Sequence, residues 1–241
     1  MVMYTNFIGE IINKIVKVGV LVFPGSNCDR DMFHVLTDVF HLNTQYFWHK
    51  KGLPHNIDAV ILPGGFSYGD RLRAGVIAAN SPIIDDVKKL ANEGIPILGV
   101  CNGFQILVES NLLPGVLLKN DSLNFMCQWT NLIVKNNKTP FTNKLYLNQK
   151  IPIPIANGEG RYYVDSKLMH NLKNNNQIVF TYQNHVNGSV QQIAGVCNED
   201  GNVVGMMPHP ERAVEKVINP LDYLPSSLIF ESLMHTIGVK N

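Results

Sequence analysis

No stretch of the 241-residue chain approaches the roughly 18 consecutive apolar residues that a membrane-spanning helix needs. Charge of either sign is scarce. Only 16% of residues are charged, and Lys+Arg 20 against Asp+Glu 19 leaves a formal net charge of +1. So even a balance argues against a nucleic-acid groove or a polybasic membrane patch. Intrinsic disorder is excluded from the other side, because 45% of residues are hydrophobic, enough to fill a core without disulfides or metal. Cysteine is sparse too. Cys28, Cys101, Cys127 and Cys197 show no Cys-x-x-Cys spacing and no His-rich partner motif, which excludes the common zinc patterns and a disulfide framework and suits a reducing compartment. Neither Gly-x-x-x-x-Gly-Lys-Ser/Thr nor Gly-x-Gly-x-x-Gly occurs, so no recognised ATP or dinucleotide loop is present. Asn6, Glu10 and Asn13 interrupt the first 15 residues, which therefore lack a signal-peptide core. Ile8, Ile11, Ile12 and Ile15 there take the spacing of one face of a short helix. Together these absences predict a soluble cytoplasmic protein with no membrane, nucleic-acid or metal partner.

What is present is a succession of short apolar runs. Val16 to Phe23 has strand length and halts at Pro24-Gly25-Ser26-Asn27, and Met32, Phe33, Leu36, Val39 and Phe40 follow at helical spacing. Ala59 to Leu62 stops at Pro63-Gly64-Gly65, and Ile95 to Val100 stops at Cys101. Between them, Ser81-Pro82 reads as a helix N-cap followed by proline at the first helical position, with Gly94 closing that helix. Short buried strands alternating with helices predict an α/β, doubly wound, mostly parallel sheet. In the second half, 132–135, 151–156, 177–182, 193–197 and 203–207 read as strands broken by Asn, Gly and Pro turns, an antiparallel extension of the same sheet. A closing helix is expected over 225–237. No Gly/Ser/Pro-rich linker and no repeat divides the chain, so 16–241 reads as one domain behind a 15-residue extension.

Three strand ends carry chemistry. Gly99-Val100-Cys101-Asn102-Gly103 places glycines two before and two after a nucleophile, the nucleophile-elbow pattern with Cys in place of Ser. Small neighbours let the chain bend sharply there. The helix that follows turns its free N–H groups toward the sulfur and favours the thiolate. The Asn102 N–H is a candidate oxyanion donor. Pro208-His209-Pro210-Glu211 supplies a base, His209, between two prolines that restrict the backbone, with Glu211 two residues on to hold the imidazole. Gly64-Gly65 lets backbone approach a ligand closely, and one N–H there can complete an oxyanion hole. Cys28 is a rival nucleophile at another strand end, but it lacks flanking glycines and is expected to be structural. Cys127 and Cys197 are expected in the core. Surface or packing roles are expected for the remaining histidines, His34, His41, His49, His55, His170, His185 and His235.

With these elements in place the chain resembles the class I (triad) glutamine amidotransferases, of flavodoxin-like fold, across residues 16–237. The resemblance rests on Phe23 to Asp29, Pro63 to Asp70, Gly99 to Gln105, Asn120-Asp121-Ser122, Gly158 to Arg161 and Pro208 to Arg212, in that order. Phe66-Ser67-Tyr68-Gly69-Asp70 and Pro208-His209-Pro210-Glu211-Arg212 look specific to the branch that serves purine synthesis. The resemblance implies Cys101 as nucleophile, His209 as base and Glu211 as its orienter. It also implies Gly65 and Asn102 as oxyanion donors, with Gly64, Phe66 and Gln105 at the substrate. It further implies hydrolysis of glutamine through a γ-glutamyl thioester. The ammonia would pass to a large ATP-dependent synthetase subunit that aminates formylglycinamide ribonucleotide. ATP and magnesium would sit on that partner, no cofactor on this chain, and a small third subunit would join as a dimer. Asn157 stands where this family often has His. A stand-alone Cys–His hydrolase and a catalytically silent binding subunit are the competing expectations.

Overall fold

The computed structural model describes residues 16–220 and 223–239, so the short helix expected within 1–15 lies outside the described residues. The strands are β1 Lys17–Val22, β2 Asn43–Trp48, β3 Ala59–Leu62, β4 Ile97–Val100, β5 Val116–Leu118, β6 Met126–Val134, β7 Lys150–Asn157, β8 Arg161–Tyr163, β9 Ile178–Tyr182, β10 Ile193–Cys197 and β11 Val203–Met206. The helices are α1 Asp29–His34, α2 Ile83–Asn92, α3 Asn102–Glu109, α4 Ser166–Asn174 and α5 Ser227–Thr236. A π-helical turn, Val35–Val39, continues α1, and its Phe40 N–H donates to Val35 O at 3.0 Å.

Nine strands form one sheet in the order β2-β1-β3-β4-β11-β10-β9-β6-β7. Pairings from β2 to β11 are parallel, and those from β11 to β7 are antiparallel. The fold is therefore α/β with a flavodoxin-like parallel half and an antiparallel extension, as the alternation of runs predicts. β3, β4, β10 and β11 are buried at every residue, which is why they read as unbroken apolar runs. One continuous hydrophobic cluster runs from Val18 in the parallel half to Ile151 and Phe180 in the antiparallel half.

Where local reading and structure differ, long-range partners decide. Ser81 does not cap α2. Pro82 takes the N-cap position, and the Ser81 hydroxyl lies 3.2 Å from His49 Nδ1 instead. Cys127 is exposed rather than in the core. β6 pairs with β9 only through 132–134, so its first half is a ribbon shared with β7 alone, open on the side where Cys127 stands. Cys197 is buried as expected, and burial pushes its thiol up to about 11. Among the described residues no helix is long and apolar enough to cross a membrane.

Candidate active site

The parallel half turns back on itself at β1, whose neighbours β2 and β3 are reached in opposite directions. Ligands in such sheets bind outside the carboxyl ends of the strands near that point. The loops after β1, β3, β4 and β11 carry Cys28, Gly64-Gly65, Cys101 and His209, so the sheet itself collects them.

Cys101 stands alone between β4 and α3 with φ 50° and ψ −106°, a conformation that non-glycine residues rarely adopt. The flanking glycines explain how the bend is tolerated. A side chain on Gly103 would collide with the Leu62 carbonyl of β3, so only glycine lets α3 start this close to the sheet. The thiol is buried, with Sγ 3.6 Å from Ala156 O on β7. As the first residue of α3, Asn102 has no intrahelical acceptor for its N–H. Its side chain is committed elsewhere: Oδ1 accepts from Ser67 N at 3.2 Å and Nδ2 donates to Gln105 Oε1 at 2.9 Å. No described residue accepts the Gly65 N–H.

His209 follows β11 and is wholly buried, its backbone N–H donating to Pro154 O at 2.9 Å. Nδ1 lies 2.6 Å from Glu211 Oε1, also buried. A Cβ placed on Gly64 would lie 2.8 Å from His209 Cε1, 3.0 Å from Cys28 Sγ and 3.4 Å from Cys101 Cβ, so three side chains converge above that glycine. His209 Nε2 faces both sulfurs without a hydrogen bond of ordinary geometry to either. Burial alone would disfavour the imidazolium. The Glu211 carboxylate and the two sulfurs outweigh it and hold the His209 pKa well above the ordinary imidazole value.

A cleft of about 530 Å³ opens onto this point, with Cys28, Cys101 and His209 in its wall. Gly65, Phe66 and Gln105 line it, whereas Gly64 lies beneath, its carbonyl accepting from Cys28 N at 3.1 Å. Gln105 Nε2 donates to Glu159 O at 2.8 Å and so fixes the turn after β7. Phe66 faces Phe125 across the mouth, ring centroids 6.2 Å apart. Asn157 lines the cleft with both side-chain polar atoms buried and unpartnered. Two further residues meet at this point: Cys28, the rival nucleophile expected to be structural, and Arg212, to which the sequence analysis gave no role and whose Nη2 donates to Cys28 Sγ at 3.1 Å. Their only signal was position, one at a strand end and the other directly after Glu211. The other histidines find different partners: His34 pairs with Asp38 and Glu215, and His185 with Asp121.

Cys28, His209 and Glu211 each bring one donor atom within 4.8 Å of the others. Within that set Nδ1 and Oε1 are bonded to each other and a guanidinium sits on the Cys28 sulfur. With Cys101 the arrangement suits nucleophilic attack: a thiol at the start of α3, the His209 imidazole beside it and the Glu211 carboxylate behind the imidazole.

Asp70 also lines the cleft, and burial followed by Glu159 raises its pKa to about 6. A carboxyl raised in the folded state adds stability below its ordinary value of 3.8 and loses it as pH rises through about 6. Asp70→Asn is therefore expected to raise the melting temperature by a few degrees at about pH 7.5 and to give no gain at about pH 4. Asn tolerates the φ of 51° at this position as Asp does, so thermal melts at the two pH values check the sign without added backbone strain.

The family described as the CobB/CobQ-like glutamine amidotransferase domain matches residues 15–233. The structure of PurLQS from Thermotoga maritima is 45% identical, over 91% of this chain and 98% of that one, with a TM-score of 0.82. More distant in sequence, a glutamine amidotransferase from Thermotoga maritima is 15% identical over 92% of this chain and 98% of that one (TM-score 0.58). The CTPS glutaminase domain of Trypanosoma brucei with bound acivicin is 14% identical over 94% and 95% (TM-score 0.60). These two share the fold. With the family match spanning residues 15–233 and PurLQS 45% identical over 91% of its length, the chain belongs to the CobB/CobQ-like glutamine amidotransferase domain family.

Proposed function

We propose that the chain is the glutaminase subunit of phosphoribosylformylglycinamidine synthase, acting in the cytoplasm in purine synthesis. The observation that carries this reading is the convergence of Cys101 with a Glu211-bound His209 on an open cleft, in a chain 45% identical to PurLQS. Cys101 Sγ attacks the side-chain carboxamide carbon of glutamine while His209 Nε2 takes the thiol proton. The carbon–nitrogen bond breaks, His209 returns the proton to the leaving ammonia, and a γ-glutamyl thioester remains. Water then hydrolyses the thioester to glutamate, with His209 as base. The N–H groups of Gly65 and Asn102 hold the oxyanion at each tetrahedral stage. Removal of one such donor typically costs about 10²–10³ in rate. Ammonia goes to a large synthetase subunit that carries ATP and magnesium, with a small third subunit present as a dimer.

The test is covalent trapping. Incubated with a glutamine-analogue electrophile in the presence of the synthetase, the protein is expected to gain one adduct, located on Cys101 by peptide mass spectrometry and prevented by excess glutamine. A protein that stays unlabelled under these conditions is a silent subunit, and turnover of a non-glutamine substrate without partners identifies a stand-alone hydrolase.

A further inference from the structure

We propose that Cys28, pinned by Arg212, is a positioning residue for the His209 imidazole during glutamine hydrolysis. The proposal rests on the glutaminase reading above. Cys28 is buried after β1, its backbone N–H donating to Gly64 O at 3.1 Å, so its sulfur stays over the glycine where His209 and Cys101 meet. Arg212 donates Nη2–H to that sulfur at 3.1 Å and is itself held by Asp31, whose Oδ2 accepts from Nε at 3.0 Å. A cysteine needed only for packing would not call for a guanidinium anchored on its sulfur.

The reaction gives the second sulfur its task. While Cys101 is a thiolate, its charge holds the Nε2–H. Once Cys101 carries the acyl group, its sulfur is a weak acceptor, yet the imidazolium must keep its orientation until ammonia takes the proton. Cys28 Sγ does not change through these steps and lies within reach of the same ring. The groups that face His209 are few among the described residues. Glu211 comes from its own loop, Cys101 from the bend after β4, and Cys28 from the loop after β1 with Arg212 and Asp31 behind it. β7 contributes the carbonyls of Pro154 and Ala156 near the site. Both sulfurs favour the protonated ring, so removal of one lets His209 lose its proton at lower pH.

The experiment pairs Cys28→Ala and Cys28→Ser with the parent. The His209 ring is titrated by NMR in the full-length chain, and kcat/KM for glutamine is measured against pH in the enzyme assembled with its synthetase. In Cys28→Ala the His209 midpoint and the alkaline limb of kcat/KM are both expected about one pH unit lower. Cys28→Ser, which keeps an acceptor, should lie between Cys28→Ala and the parent. A midpoint that does not move in Cys28→Ala, or a kcat/KM that falls equally at every pH with the limb in place, overturns the proposal. The ring titration needs no glutaminase activity, so loss of the glutaminase reading would register separately.

Discussion

Cys101→Ala in the assembled enzyme is expected to lose glutamine-dependent product formation by about 10⁴-fold or more while product formation from added ammonium salt persists. The thiol is the only group at the bend after β4 that can form the acyl intermediate, and backbone donors alone cannot replace a missing nucleophile. The ammonium reaction bypasses this chain's chemistry and requires only that the synthetase remain docked and folded. The variant should fold, because alanine keeps the Cβ above Gly64 and removes only the sulfur. Cys28 is the internal competitor: it meets the same imidazole but lacks the strained bend and carries the Arg212 N–H on its sulfur. Equal loss of glutamine and ammonium activities would remove Cys101 from amide hydrolysis. Retained glutamine activity in Cys101→Ala, lost in Cys28→Ala, would make Cys28 the nucleophile.

The elements of this arrangement differ in how far a single sequence discloses them. β3 and β4 are buried on both faces, so each is an uninterrupted apolar run, and the glycines around Cys101 announce a bend because no other residue fits beneath it. Pro208 and Pro210 mark His209 in the same local way. β2 escapes such reading: at the sheet edge, with Asn43, Gln45, Tyr46 and Trp48 exposed, it has neither a buried run nor clean alternation. α4 is similarly polar and held at its start by Asp165, whose carboxylate accepts from Leu168 N at 2.7 Å. Among the described residues β5 and β8 pair only with each other. At the site, the Cys28–Arg212 contact joins residues 184 positions apart, and Asn102 and Gln105 hold the loops after β3 and β7 rather than advertising a role of their own. Local constraints on the backbone are written in adjacent residues; contacts made by the sheet's pairing order are not.

Glu211→Gln probes such a contact, and its expected effect rivals loss of the nucleophile. The Glu211 carboxylate can only accept a hydrogen bond, so at 2.6 Å it requires the proton on His209 Nδ1 and leaves Nε2 free to take one from Cys101. A glutamine amide turned with its NH2 toward the ring would donate to Nδ1 instead, placing the ring proton on Nε2, the tautomer unable to act as base. Loss of the negative charge also removes the strongest influence favouring the imidazolium at a site where burial opposes it. Both effects act in the same direction, and kcat for glutamine hydrolysis should fall by about 10⁴-fold. Trapping by the electrophile should slow in parallel, because the thiolate depends on the same imidazole, whereas ammonium-dependent activity should stay at the parent level. Glu211→Asp keeps the charge but withdraws it by one methylene, so its activity should lie between the two. If Glu211→Gln kept most of the glutamine activity, the carboxylate would be serving burial and packing near His209, and the base would have to be oriented by something else, for which the sulfur of Cys28 is within reach.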